Sequence, residues 1–224
     1  MEKLIFGSIS YINLLPFQVF LKKYLKNSQI KQILNYKKSF PSQINKNFKN
    51  RRVDAAFISS IKSKNCKCTD LGIVAKGAVY SVLLLPNSPK DDIESDTSNM
   101  LCKVLELNGE VIIGDKALKL FLNNKELDFI DLAKEWQNRY KLPFVFARLC
   151  YTKHNKKIQK IAKAFKKSNQ KIPQYYLKKS AKEHNLAPKQ ISWYLKYISY
   201  ELRYREKMAL KKFIRLSDRV VISD

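Results

Sequence analysis

The chain has 224 residues, 45% of them hydrophobic and 12% aromatic, which is enough to bury a core and excludes wholesale disorder. Lys and Arg outnumber Asp and Glu by 44 to 19, a net charge of +25 that brings nucleic acid, an acidic membrane surface or a small anionic ligand into view. Only eight of the 44 are Arg, the residue whose planar fork reads bases and phosphates, so general Lys enrichment is the simpler account of the charge. The chain lacks an uncharged apolar run of about 18 residues, and its first residues read as strand and turn without a leader peptide, so a cytoplasmic protein is expected.

In chain order, residues 3–9 form an apolar strand running into Ser10-Tyr11-Ile12-Asn13, and Pro16 opens a helix to about residue 25. A second strand is predicted over 30–36, a helix over 39–50, a buried strand over 53–58, and two β-branched runs over 71–75 and 79–85. This alternation argues for an open α/β sheet. The polar segment 86–96 marks a boundary, and Ser95 to Thr97 supplies an N-cap for the helical pattern Met100, Leu101, Val104, Leu105. A strand at 111–113, a helix through Leu118 and Phe121, a helix over 129–140 and an apolar strand over 142–150 follow.

From residue 151 the pattern turns helical and basic. Ile158, Ile161, Ala162 and Phe165 share one helical face, and Ile191, Tyr194, Leu195, Ile198 and Leu202 predict a longer helix. Expected, therefore, are a discontinuous first lobe of residues 1–84 plus 147–224 and a small α/β second lobe of residues 85–146. The cysteines, at 66, 68, 102 and 150, lack zinc-ligand spacing, and the two histidines, His154 and His184, stand in Lys-rich surroundings. Free thiols in a reducing compartment are expected, with no metal site and no His-based nucleophilic unit.

Open α/β sheets bind ligands at the carboxyl ends of their strands. Here those ends hold small polar residues: Ser10 to Asn13, Ser59-Ser60, Ser95 to Ser98 and Gly114-Asp115, joined by Ser81 at a strand start. Each alone is an ordinary cap or turn residue. Together they make a neutral set of donors suited to carboxylate oxygens.

The motifs carrying these residues resemble those of a known family. Gly7-Ser8-Ile9-Ser10-Tyr11-Ile12-Asn13-Leu14-Leu15-Pro16 resembles the opening of the menaquinone-biosynthesis family that acts on chorismate. Similar to later family segments are Val53 to Ser60, Gly77 to Val82, Ser95-Asp96-Thr97-Ser98, Ile113 to Leu118, and Glu135-Trp136 with Leu142 to Ala147. The resemblance implies the two-lobed fold of type II periplasmic binding proteins, an α/β architecture with a cleft between lobes and C-terminal helices. It also implies a chorismate dehydratase of the futalosine route, a hydro-lyase that turns chorismate into 3-[(1-carboxyvinyl)oxy]benzoate with no cofactor.

Carried over, Asn13 and Ser81 would place or polarise the leaving hydroxyl. Tyr11, Ser60, Thr97, Ser98, Gly114 and Asp115 would line the cleft, with Thr97 and Ser98 on a substrate carboxylate. Asp115 is expected to cap a helix while a substrate carboxylate takes the ring proton; Arg148 is a further candidate for the cleft. The chain departs from the family at Ser59, where Pro is usual, and at Asp96, where a basic residue is usual and whose charge Lys116 would offset. The short link Leu105 to Gly109 replaces a strand and helix. Two rival readings are a helix-turn-helix over Tyr176 to Lys196, for which an ordinary αα-corner is the simpler account, and a receptor that binds a small carboxylate without turnover.

Overall fold

The computed structural model describes residues 3–26, 34–124, 126 and 128–223, the side chains of 221–223 excepted. Residues 30–33, the start of the second predicted strand, lie outside that set. The first half of the chain builds β1 (Leu4–Ser8), α1 (Leu15–Lys26), β2 (Leu34–Lys38), α2 (Pro41–Lys49), β3 (Ala55–Ser59) and β4 (Cys68–Ala75). These strands join β8 (Phe144–Tyr151) and β9 (Ile198–Glu201) in one sheet of order β2-β1-β3-β8-β4-β9. β1 runs parallel to β2 and β3, whereas β8 is antiparallel to both β3 and β4. The chain therefore leaves this sheet and returns to its middle.

Between departure and return lies a second sheet, β6-β5-β7, with β5 (Val82–Leu85) flanked antiparallel by β6 (Glu110–Ile113) and β7 (Ile130–Asp131). Three helices pack with it: α3 (Asp96–Val104), α4 (Gly114–Asn123) and α5 (Leu132–Tyr140). Residues 82–84, read from sequence as the end of the first lobe, are thus hydrogen-bonded in the small sheet. Phe144 to Phe146, read as the end of the second, belong to the large one. The crossings at 76–81 and 141–143 are anchored. The Asp131 carboxylate accepts from the N–H groups of Val79 and Tyr80 at 2.8 and 2.7 Å and caps α5 through Lys134 N–H at 3.0 Å. Trp136, fully buried, donates its indole N–H to the Pro143 carbonyl.

After β8 come α6 (Asn155–Lys167), α7 (Gln174–His184), α8 (Pro188–Tyr194) and α9 (Tyr204–Ser223). α6 buries the predicted Ile158, Ile161, Ala162 and Phe165, and Phe165 meets Phe17 and Phe20 of α1 edge-on. The long helix expected through Leu202 does not form. It stops at Tyr194, and Ile198–Glu201 pairs with β4 at the open edge of the large sheet. Ile198 and Tyr200 face inward while Ser199 and Glu201 face out, so edge pairing of β-branched and aromatic residues outweighs helical spacing here.

The cysteines are not all free. Cys68 and Cys150 are direct register partners on β4 and β8 and form a disulfide, leaving Cys66 and Cys102 as thiols. Paired strands placed the two side chains together, which their separation in sequence concealed.

Candidate active site

A cavity lies between the two sheets. Five of the eight expected site residues line it: Tyr11, Asn13, Ser81, Ser98 and Gly114. Ser59 and Ser95 line it too, and Ile9, Phe57, Val79, Phe146 and Ile198 add apolar wall. Ser95 caps α3, its hydroxyl oxygen accepting from Ser98 N–H at 3.1 Å, as the spacing predicted. Ser59, the departure from the family's proline, is held by Asn45 of α2, whose amide bonds both its N–H and its hydroxyl.

Asn13 and Ser81 are organised from behind by Tyr194, which the sequence reading placed only as one position of a predicted helix. The Tyr194 phenol, 1% exposed, lies 2.8 Å from the Ser81 hydroxyl, with the Asn13 side chain beside it. Burial holds that phenol above its ordinary range, so it remains neutral. A second buried tyrosine, Tyr200, donates to the Asn13 backbone carbonyl at 2.6 Å. The carbonyl oxygen of the Asn13 side chain is buried with no partner among the described residues, an acceptor that a bound hydroxyl would satisfy.

Gly114 has φ +68°, a left-handed conformation that favours glycine, and an added Cβ would lie 2.8 Å from the Tyr11 ring. Its N–H is committed to the Ser81 carbonyl at 2.8 Å, so it joins the walls and is not a free donor. The Tyr11 phenol donates to Glu94. Burial first, then that carboxylate, hold it far above its ordinary range, so it cannot act as a base at working pH.

Three expected site residues do not reach the cavity wall. Ser60, wholly buried, donates to the Val145 carbonyl. Thr97 accepts from Ile61 N–H at 3.3 Å, joining α3 to the turn after β3. Asp115 accepts from Ile12 N–H at 3.1 Å and lies 2.9 Å from His184 Nδ1. It links the Tyr11 loop, α4 and α7, as a carboxylate in the first turn of a helix can. Arg148 points elsewhere as well, donating to the Ser63 hydroxyl and carbonyl. The Asp96 charge is met by Lys62 at 3.7 Å, and Lys116 pairs instead with Asp92 at 2.7 Å. The αα-corner of α7 and α8 spends its inner face on this architecture. Ile191 and Tyr194 are buried, and Trp193 stacks on Phe121 of α4.

Among the described residues, the cavity wall contains no Asp, Glu, His, Lys or Arg, in a chain of net charge +25. Hydroxyls, one amide and one un-ionised phenol are its polar groups. Such a wall binds anions by hydrogen bonds alone and supplies neither a general base nor a metal ligand set.

Residues 102–219 match the family model described as menaquinone biosynthesis. The sequence is 46% identical over 216 residues to the chorismate dehydratase of Campylobacter jejuni subsp. jejuni, covering 95% of this chain and 96% of that one. The chain belongs to the menaquinone-biosynthesis family. Solved structures share its fold at low identity. A protein of Archaeoglobus fulgidus superposes with TM-score 0.72 at 11% identity, covering 98% of both chains. The periplasmic aliphatic sulphonate-binding protein SsuA of Escherichia coli does so with TM-score 0.56 at 13% identity, covering 100% of this chain and 93% of that one. The architecture is therefore that of periplasmic binding proteins, α/β with two sheets, as the sequence motifs implied.

Proposed function

We propose that this protein is a chorismate dehydratase that removes water from chorismate to give 3-[(1-carboxyvinyl)oxy]benzoate in the cytoplasmic synthesis of menaquinone. The observation that carries the mechanism is the cavity wall without a carboxyl, imidazole or cationic side chain among the described residues. The elimination aromatises the ring, so it is strongly downhill and transfers no net electrons. The protein has to orient a dicarboxylate and exclude water. Ser95 and Ser98 at the start of α3, with Ser59 at the end of β3, suit one carboxylate. Asn13 and Ser81 address the ring hydroxyl. Ser81, backed by Tyr194, donates to the departing oxygen, while the free Asn13 carbonyl fixes the hydroxyl before it leaves.

With no base in the wall, the substrate's second carboxylate takes the ring C3 proton, which departs with the hydroxyl as water. Asp115, engaged by Ile12 N–H and His184, acts as a positioning residue. The test is incubation with chorismate followed by mass and ultraviolet analysis. Loss of one water with a new benzoate absorbance is expected, together with a fall in kcat of about 10²–10³ in Ser81→Ala. Binding without turnover would replace this reading with a receptor, and an Asp115→Asn enzyme that binds and folds normally but loses turnover would make Asp115 the base.

A further inference from the structure

A second cavity, of about 180 Å³, lies on the other side of the Tyr11 loop, between α1, the carboxyl ends of β1 and β2, and α7. Its floor is apolar, with Phe6 and Phe17 stacked at 5.9 Å and Tyr36 edge-on to Phe6. Its rim is cationic: Lys22 and Lys38 have no acidic partner among the described residues, and Lys179 shares Glu183 at 3.9 Å. His184 also lines it but is occupied by Asp115. Three serines, Ser8, Ser10 and Ser180, are among the residues that line this space. Ser180 is 3% exposed, and its hydroxyl has no hydrogen-bond partner among the described residues. A buried, unpartnered hydroxyl in a cavity wall costs stability unless something binds there.

We propose that this cavity is a second small-molecule site that takes a phosphate monoester with an aromatic or other flat apolar group. Three ammonium groups against one carboxylate leave a surplus of two positive charges, which matches a phosphate dianion rather than a single carboxylate. The hydroxyls supply directed donors for its terminal oxygens, and the Phe6, Phe17 and Tyr36 surfaces receive the ring. None of these lysines or Ser180 belongs to the dehydration site, so the proposal stands or falls apart from that activity.

Calorimetric titration of the full chain with phenyl phosphate, benzoate and inorganic phosphate tests it. Phenyl phosphate should bind at one site per chain, at least tenfold more tightly than benzoate or inorganic phosphate. Ser180→Ala, which loses no existing hydrogen bond and should fold normally, is expected to weaken binding about tenfold. Lys38→Met should weaken it several-fold and flatten its salt dependence. Turnover of chorismate by both variants, measured without phenyl phosphate, should match the parent. Absence of phenyl phosphate binding, equal affinity for benzoate, or binding that both variants leave unchanged while Ser98→Ala abolishes it would overturn the proposal.

Discussion

Gly114→Ala tests the geometry of the cleft most directly. The residue sits at φ +68°, where an alanine costs about 1–2 kcal/mol. Its new methyl would fall 2.8, 3.1 and 3.2 Å from three atoms of the Tyr11 ring, whereas carbon pairs prefer about 3.5–4.0 Å. The ring has little room to yield, because its phenol is tied to Glu94 and the next N–H to Asp115. Overlap of this kind adds about 1–3 kcal/mol, for a combined loss of about 2–5 kcal/mol. At about 2–4 °C per kcal/mol for a chain of this size, Tm should fall by roughly 4–20 °C. Because the displaced ring lines the cavity, KM for chorismate should rise as well. Thermal melts and dehydration kinetics of Gly114→Ala, Tyr11→Ala and the double variant separate the two costs. Removing the ring should relieve the overlap and leave only the backbone penalty, a coupling of 1 kcal/mol or more. A Gly114→Ala protein that melts and turns over like the parent, or a double variant with strictly additive losses, would refute the account.

Four further outcomes are expected. Tyr194→Phe should lower kcat about tenfold or more with a smaller effect on KM, since it removes the partner of Ser81 while keeping the ring; steady-state kinetics decide, and an unchanged kcat would reduce Tyr194 to packing. Asp131→Ala strands the N–H groups of Val79, Tyr80 and Lys134 and should cost about 2–4 kcal/mol by urea denaturation, against less than about 0.5 kcal/mol if the crossing at 76–81 is held by other contacts. Tyr11, Tyr194 and Tyr200 all have phenols raised by burial, so unfolded phenols ionise above pH 10 while folded ones do not. Stability is full below pH 10, and these three phenols should lower it by up to about 4 kcal/mol per pH unit above it, with Tyr36 and Tyr80, also raised by burial, adding to the fall; urea midpoints at pH 9, 10 and 11 should show this, with Tyr200→Phe removing about 1.4 kcal/mol per pH unit of it. Finally, alkylation of the denatured, unreduced chain should label two cysteines and, after reduction, four; four labels without reduction would contradict the Cys68–Cys150 bond.

What could be read from sequence was what is written locally. The Ser95 cap, the apolar face of α6 and the strand and helix alternation each follow from residues a few positions apart, and the structure keeps all three. The motifs also brought Tyr11, Asn13, Ser81, Ser98 and Gly114 to one cavity. Long-range pairing was hidden. Nothing near Cys68 announces Cys150, nothing near Ser81 announces Tyr194, and Ile198 resembles one more helical position until the edge of β4 claims it. Ser60, Thr97 and Asp115 are adjacent in sequence to cavity residues, yet adjacent residues in a helix or turn face different ways. Their polar atoms serve neighbouring backbone instead.

The C-terminal helices touch both halves of the molecule. Past β8 the chain has already rejoined the large sheet, yet His184 reaches Asp115, Trp193 stacks on Phe121, Tyr194 holds Ser81, and α9 packs along α3. The two halves are therefore laced together by segments far from the crossings themselves. Cooperativity follows: the small sheet has no independent melting transition available, because its loss would strip partners from helices that the large sheet depends on. The protein should unfold in one step, and swings of one half against the other should be shallow, with substrate admitted by brief breathing of the cleft and not by wide opening.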